Sequence, residues 1–237
     1  MSIRFCRGEK MLLMEIIINV LLEFHPQILH PTHQNPPSIF YLACRQTQTP
    51  MDFETYQQLF FDTLNSRAPA APYDNPDYLN YTRLNWSRQQ RWLKVGVLNT
   101  ELTDVIENIV NEQRWTVITE LWCGDASHTL PFIHRLSELN PLIKVEYQLR
   151  DSPPFLIEQY LTNGTRSIPK LIIADGNHND LATWGPRPAE CQKLYLQMVK
   201  DHVDMAEKKI ALQKWYNEDK GESFQRELLA VLKNLPV

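Results

Sequence analysis

The chain has 237 residues, of which 43% are hydrophobic and 22% are charged, a composition typical of a soluble globular protein with one sizeable core. The formal net charge is −4 and the sequence has no basic stripe, which argues against nucleic acid as a partner. The four cysteines (Cys6, Cys44, Cys123 and Cys191) form no C-x-x-C pair, which argues against a disulfide framework or a zinc site and fits a reducing, cytoplasmic compartment.

The first fifty residues differ in texture from the rest of the chain. Their apolar run, 11–22, is too short to span a bilayer and is interrupted by Glu15. One interpretation is a secretory signal peptide, but no small-residue cleavage site follows the run. We favour the other interpretation, in which 1–50 is a disordered or non-native extension and Met51 is the natural start. No attachment to a membrane is predicted.

Helices are predicted from residue 51 up to the first strand. Asp52 is a candidate N-cap for the first helix, because its side chain can accept a hydrogen bond from a free backbone N–H. A second helix is predicted over 78–96 and a third over 100–110. Residues 51–112 are therefore expected to form N-terminal helices that pack on the core.

An alternation of strands and helices follows. The predicted elements are a strand at 115–122, a helix at 124–139, a strand at 143–149, a helix at 154–162, strands at 168–175 and 180–184, and helices at 188–216 and 221–234. This order predicts an α/β protein whose mixed sheet is covered by helices. Asp175-Gly176 lies between two strand-like runs and predicts an antiparallel hairpin. The core is expected at 113–205, with C-terminal helices at 206–237.

Four sequence features resemble the thioredoxin family, over about 95–205. They are Trp122-Cys123-Gly124 at a strand-to-helix junction, Pro131 eight residues after the cysteine, the segment 166-RSIPKLII-173, and Trp184-Gly185 after the hairpin. More narrowly, the motifs WCGDA, LRD, YLTNG, RSIPK, WGPRP and QKWYNEDKG resemble a bacterial group of thioredoxin-family proteins in which the second active-site cysteine is often absent.

The resemblance implies a thioredoxin-like mixed sheet with extra helices before and after the core. It also implies that Cys123 is the catalytic nucleophile and that it faces a cis Ile-Pro bond across a peptide-binding groove. The implied substrate-binding residues are Trp122, Gly124, Asp125, Ile168, Pro169, Trp184 and Gly185. The chain departs from the family at two places: Ala126 occupies the position of the second cysteine, and Val117 the position of a buried aspartate.

Cys123 would react as its thiolate, and the positive end of a helix favours that form. We therefore expect a lowered pKa for Cys123, although a carboxylate at Asp125 opposes the shift. His128 lies five residues along the helix, off the face of the cysteine, and we predict an exposed residue in preference to a proton donor.

Three further residues are ambiguous in the sequence. Arg166 and Arg187 either border the groove and attract an acidic partner or are solvated loop charges. Cys191 is interpreted as a plain buried cysteine in preference to a disulfide partner of Cys123.

Two functional hypotheses remain. The first, which we favour, is a monothiol thiol-disulfide oxidoreductase that acts on protein or small-thiol disulfides through Cys123. An external thiol, glutathione or another low-molecular-weight thiol, would then act as co-substrate to resolve the mixed disulfide. The second is a non-catalytic module that binds peptides or proteins, or a redox sensor. No bound cofactor and no metal site is predicted.

Overall fold

The computed structural model describes residues 51–235, and the prediction for 1–50 lies outside these described residues. Within them the helices are α1 (Phe53–Asn65), α2 (Pro76–Val95), α3 (Thr100–Glu107), α4 (Gly124–Ser137), α5 (Ala189–Lys200), α6 (Met205–Asp219) and α7 (Glu222–Lys233). The strands are β1 (Gln113–Thr119), β2 (Ile143–Leu149), β3 (Lys170–Asp175) and β4 (Asp180–Trp184).

The four strands form one mixed sheet in the order β2-β1-β3-β4. β1 pairs parallel to β2 and antiparallel to β3, and β4 closes the sheet as an antiparallel partner of β3. β1 and β3 are buried along most of their length, as expected for central strands rich in β-branched residues. The predicted α/β class with a thioredoxin-like mixed sheet is confirmed.

Side-chain caps fix the starts of several helices. Asp52 accepts a hydrogen bond of 2.8 Å from the backbone of Thr55, as its position predicted. Asn75 caps α2, with Pro76 in the first turn, where its missing N–H costs nothing. These caps satisfy backbone N–H groups that have no partner inside the helix.

The helices outside the sheet pack on it through aromatic side chains. Tyr56 of α1 stacks on Tyr147 of β2, with ring centroids 5.3 Å apart. Trp92 of α2 lies 5.8 Å from the ring of Phe132 in α4. The apolar face of α7 is buried at Phe224, Leu228, Leu229 and Leu232, so this helix packs on the domain. Burial of such rings contributes much of the hydrophobic stabilisation.

Three sequence-based boundaries were wrong. The first strand ends at Thr119 and a turn leads on to α4. The helix predicted over 154–162 is a single 3-10 turn, Leu156–Gln159, because Phe155 has a left-handed backbone with φ 55°, which a right-handed helix cannot include.

The helix predicted over 188–216 is two helices. α5 ends at Lys200, His202 has φ 53°, and Asp204 caps α6 by accepting from Glu207 N at 3.0 Å. A left-handed residue cannot continue a right-handed helix, so the chain turns between them. No helix among residues 51–235 is both long enough and apolar enough to cross a membrane.

Candidate active site

Cys123 lies between the end of β1 and the start of α4. Its backbone N–H closes a turn on Glu120 O at 3.1 Å, and the residue is the N-cap of α4. Its side chain is only 5% exposed. The thiol donates a hydrogen bond of 3.5 Å to the carbonyl oxygen of Ile168. The Ile168–Pro169 bond is cis. The fold thus brings Cys123 into contact with a loop that lies 45 residues further along the chain.

The pKa of the Cys123 thiol is raised to about 12, so the expectation of a lowered pKa was wrong. Burial is the largest cause, because a thiolate loses its hydration there, and the Asp125 carboxylate adds to the shift. The backbone N–H groups of Ala126 and Asp125 lower the pKa, as a helix end should. Desolvation outweighs them, so the described conformation holds a protonated thiol.

Asp125 is the centre of a buried polar cluster beside the thiol. Arg187 forms an ion pair of 2.7 Å with its carboxylate, and the Tyr216 hydroxyl donates a hydrogen bond of 2.9 Å. Burial raises the pKa of Asp125, although Arg187 and Tyr216 pull it down. Arg187 also stacks on the Tyr195 ring at 4.2 Å. The alternative in which Arg187 is a solvated loop charge is therefore wrong.

His128 is buried, which contradicts the prediction of an exposed helix residue. Trp92 Nε1 donates to His128 Nδ1 at 2.8 Å, and an indole N–H can only donate, so Nδ1 must be the acceptor. Nε2 is then free to donate to Gln213 Oε1 at 3.3 Å. The imidazole stacks on the Tyr216 ring at 4.4 Å. Burial lowers the pKa of His128 to about 3, with a smaller contribution from Arg88.

A second buried carboxylate, Glu120, lies in the turn that precedes Cys123. It accepts from the Tyr73 hydroxyl at 3.3 Å and from the backbone of Asp151 at 2.9 Å. Burial raises its pKa. Sequence reasoning missed this acid because it looked for one at position 117, where the fully buried side chain is Val117.

The second sulfur in the core, Cys191 in α5, is buried. Both Cys123 and Cys191 are free thiols, so the disulfide alternative is wrong and the interpretation as a buried cysteine is confirmed. Burial and the charge of Asp125 raise the pKa of Cys191 to about 12.

A cleft of about 730 Å³ opens over Cys123. Five of the predicted site residues line it together: Trp122, Cys123, Gly124, Asp125 and Ile168. Its remaining walls come mainly from the loop at 165–168, from α2 and from α6. Arg166 also borders the cleft and forms an ion pair with Glu158.

The rim beside the thiol is built on Trp122. Arg150 lies over its indole at 4.7 Å, and the Tyr78 ring meets it edge-on at 5.8 Å. Arg150 is fixed in turn by Asp151, through contacts of 2.9 and 2.6 Å. Such stacking of a guanidinium on an aromatic face holds both groups in place.

Three of the predicted substrate-binding residues, Pro169, Trp184 and Gly185, do not line this cleft. Trp184 turns toward α7, where its Nε1 donates to Glu227 at 2.7 Å and its ring meets Phe224 at 4.7 Å. Gly185, with φ 114°, packs against the carbonyl of Pro169, where a Cβ would lie 2.2 Å from the oxygen. These residues support the loop from behind.

Sequence reasoning also missed a set of cleft residues on the added helices. They are Tyr81, Arg88, Lys208 and Lys209. No local pattern connects them with Cys123, because they lie far from it in the chain. Among residues 51–235, no group of three or more His, Cys, Asp or Glu side chains could hold a metal ion.

The sheet order, with a cysteine at the start of the helix after its first strand and a cis-prolyl loop opposite, defines a thioredoxin-like protein. A family model described as thioredoxin matches residues 72–208, more than half of the chain. The protein therefore belongs to this thioredoxin family. No curated protein matches the chain.

Three similar solved structures have distant sequences. A protein of unknown function from Pseudomonas aeruginosa is 19% identical, with 78% of this chain and 92% of that chain covered and a TM-score of 0.49. An HIV epitope-scaffold is 17% identical, with 78% and 93% covered and a TM-score of 0.48. The N-terminal N/C domain of an alkylhydroperoxide reductase, AhpF from Enterococcus faecalis, is 15% identical, with 46% and 47% covered and a TM-score of 0.32.

Proposed function

We propose that the protein is a monothiol thiol-disulfide oxidoreductase that acts through Cys123. The observation that carries this proposal is the placement of the Cys123 sulfur 3.5 Å from the Ile168 carbonyl, beside an open cleft. A disulfide that enters the cleft would meet the sulfur next to the loop at 165–168, to whose backbone an extended chain could add as a strand. Protein or small-thiol disulfides are the substrates that we propose.

The chemistry has two exchange steps. In the first, the Cys123 thiolate attacks one sulfur of the disulfide, the S–S bond breaks, and the other half leaves as a thiolate. In the second, the thiolate of an external small thiol attacks the substrate sulfur of the mixed disulfide, which releases Cys123 and forms a new disulfide. Ala126 offers no second sulfur, so glutathione or a similar thiol must supply the resolving electrons. No bound cofactor takes part.

The raised pKa of Cys123 sets the pH dependence of the first step. A thiol with a pKa of about 12 has little thiolate at neutral pH, and the rate of attack follows the thiolate fraction. We therefore expect the rate to rise with pH through the neutral and alkaline range. The same raised pKa is the observation that favours the second candidate, a thioredoxin-fold module that binds peptides without turnover.

The finer resemblance supports a place in the bacterial group that lacks the second cysteine. Its motif WCGDA covers Trp122 through Ala126, and RSIPK covers Arg166 through Lys170. We also propose a cytoplasmic location, since the free thiols of Cys123 and Cys191 suit a reducing compartment.

The test is formation and release of a mixed disulfide, followed by intact-protein mass spectrometry. The protein would carry Cys6→Ser and Cys44→Ser, so that only the two core thiols can react. Incubation with glutathione disulfide should give a single adduct, which reduced glutathione should remove.

Cys123→Ser should abolish the adduct, whereas the matched Cys191→Ser should leave it. Peptide mapping would place the adduct on residue 123. If Cys123→Ser and its parent react equally slowly even at alkaline pH, the oxidoreductase is ruled out and the binding module is favoured.

A further inference from the structure

The cleft over Cys123 has a strong excess of positive charge. Six basic side chains line it, against two carboxylates. Three of them, Arg150, Arg166 and Arg187, are anchored in or beside the sheet, and the others are Arg88 of α2 with Lys208 and Lys209 of α6. One of the two carboxylates, Asp125, is already neutralised by its ion pair with Arg187. The lining can therefore accept further negative charge.

The three cations on the added helices form no direct ion pair among the described residues. Arg150 is paired with Asp151 and Arg166 with Glu158. Arg88, in contrast, donates to the neutral amide oxygen of Asn85 at 2.8 Å, and the Lys209 ammonium contacts the Tyr81 hydroxyl. Within the described part of the chain, no carboxylate forms an ion pair with Arg88, Lys208 or Lys209.

Arg88 also lies beside the residue that follows Cys123. Its Nη1 lies 3.8 Å from the point that a Cβ on Gly124 would occupy, and Gly124 directly follows Cys123. The guanidinium is half-buried, and burial lowers its pKa. The charge of Asp125 opposes this shift, but that carboxylate is in direct contact with Arg187. A bound anion in contact with Arg88 would offset the remaining cost of desolvating the guanidinium.

We propose that the substrate is the disulfide of a small thiol that carries carboxylates, and that Arg88 together with Lys208 binds a carboxylate while the disulfide meets Cys123. The volume of about 730 Å³ lies in the range of small-molecule sites, roughly 300–1,000 Å³, and suits a whole small thiol. This inference rests on the proposed function. Attack by the Cys123 thiolate breaks the S–S bond, leaves the small thiol on Cys123, and releases its partner as a thiolate.

The test compares disulfides that differ in charge, with the protein in the Cys6→Ser, Cys44→Ser background. The probes are glutathione disulfide, which is anionic, 2-hydroxyethyl disulfide, which is neutral, and cystamine, which is cationic. The rate constant for the adduct on Cys123 should fall in that order after correction for the rate of each probe with a free thiol. The preference for the anion should weaken as salt is added, because ions screen the attraction.

Charge variants connect the preference with the named residues. Arg88→Gln and Lys208→Gln should each lower the ratio of the glutathione disulfide rate to the 2-hydroxyethyl disulfide rate by about tenfold, as loss of a charge-assisted hydrogen bond does. Arg88→Lys should restore much of the preference. Lys214→Gln, on the same helix and with an exposed side chain, removes the same charge away from the cleft and should change neither rate.

Each remaining outcome has a definite meaning. If neutral and anionic probes react equally on Cys123, or if Lys214→Gln slows the anionic probe as much as Lys208→Gln does, the inference fails while the proposed function survives. If an acidic peptide disulfide reacts much faster than glutathione disulfide, the partner is a protein and the small-thiol class is wrong. If no probe reacts, the proposed function itself fails.

Discussion

The thioredoxin core and the helices added to it contribute different groups to one cleft. The core, β1–β4 with α4, supplies the Cys123 sulfur, the Ile168 carbonyl and the indole of Trp122. The added α2 and α6 supply Arg88 and Lys208, and they contact His128 of α4 through Trp92 and Gln213. The family core therefore positions the sulfur, while the helices outside it supply cations to the cleft and, under the proposed function, would select the charge of the substrate.

The same contrast applies to the thiol pKa. The end of α4 favours a thiolate at Cys123, and the backbone N–H groups act in that direction. α6 acts against it through Tyr216, whose hydroxyl holds the Asp125 carboxylate in the buried cluster beside the sulfur. Burial remains the largest cause of the raised thiol pKa, and the contact from α6 acts on the smaller contribution of Asp125.

The largest expected effect comes from a core position. Gly185→Ala should lower the free energy of unfolding by about 4 kcal/mol or more, since a buried clash that nothing can relieve and a strained backbone both add to the cost. The new Cβ would lie 2.2 Å from Pro169 O, at a residue with φ 114°. Urea unfolding followed by circular dichroism would measure the change.

Gly164→Ala is the matched control for this substitution. Gly164 has φ 74° and no atom within 4 Å of the Cβ position, so only the backbone strain is added. Its cost should be about 1 kcal/mol. Equal losses of stability in both variants would mean that the clash with the Ile168–Pro169 loop adds no cost beyond the backbone strain.

The next effect tests how the added helices bury α4. His128 has a folded pKa of about 3, below the ordinary value of 6.5, so the unfolded chain binds more protons between these limits. Stability from this residue is therefore present above pH 6.5 and is lost as pH falls toward 3, by about 3 kcal/mol between pH 7 and pH 4. Urea unfolding across this range should show a shallower slope in His128→Gln.

The exposed His178 provides the control, since it lies in the turn between β3 and β4. His178→Asn removes a histidine without changing the core, and its slope is the reference against which the slope of His128→Gln is compared. Asp125 and Glu120 have raised pKa values, so the stability that they contribute is lost as pH rises. Both groups are present in every variant and therefore do not affect the comparison of slopes. A wild-type slope retained in His128→Gln would contradict burial of the imidazole.

The smallest effect concerns the sulfur. Asp125→Asn removes the carboxylate that raises the pKa of Cys123 and leaves the Arg187 cation beside it. The pKa should fall by about one unit, and alkylation of Cys123 by iodoacetamide at neutral pH should become roughly tenfold faster. The pH dependence of the alkylation rate would measure both.

Asp77→Asn is the comparison, because Asp77 also lines the cleft and is exposed. Its removal changes the charge of the lining equally and should leave the alkylation rate of Cys123 nearly unchanged. If the two variants accelerate alkylation to the same extent, the pKa of Cys123 depends on the total charge of the cleft and not on the nearby carboxylate of Asp125.

The sequence allowed the core and its reacting atoms to be predicted, because their signals are local. Strand-like runs between turn residues located the strands, and the residues around Cys123 and Ile168 carried the resemblance that placed them opposite each other. The burial of His128 could not be predicted, since it depends on Trp92 and Gln213, which lie on helices remote in sequence.

The boundaries that failed have a similar cause. His202 takes a left-handed backbone without being glycine, and no composition signal marks such a residue. Asp204 was a usable sign, because an aspartate followed by a helical pattern is a typical N-cap. The cationic residues Arg88 and Lys208 could not be assigned to the site, as helix packing alone brings them to Cys123.

Glu227 of α7 stabilises part of the site although it follows every cleft residue in the chain. Its two carboxylate oxygens accept hydrogen bonds from Trp184 Nε1 and from Ala189 N, each at 2.7 Å. One side chain therefore holds both ends of the short segment that carries Arg187. Translation delivers this side chain after every residue of the cleft. The segment that carries the Arg187–Asp125 salt bridge therefore gains these two hydrogen bonds only after every residue of the cleft has been synthesised.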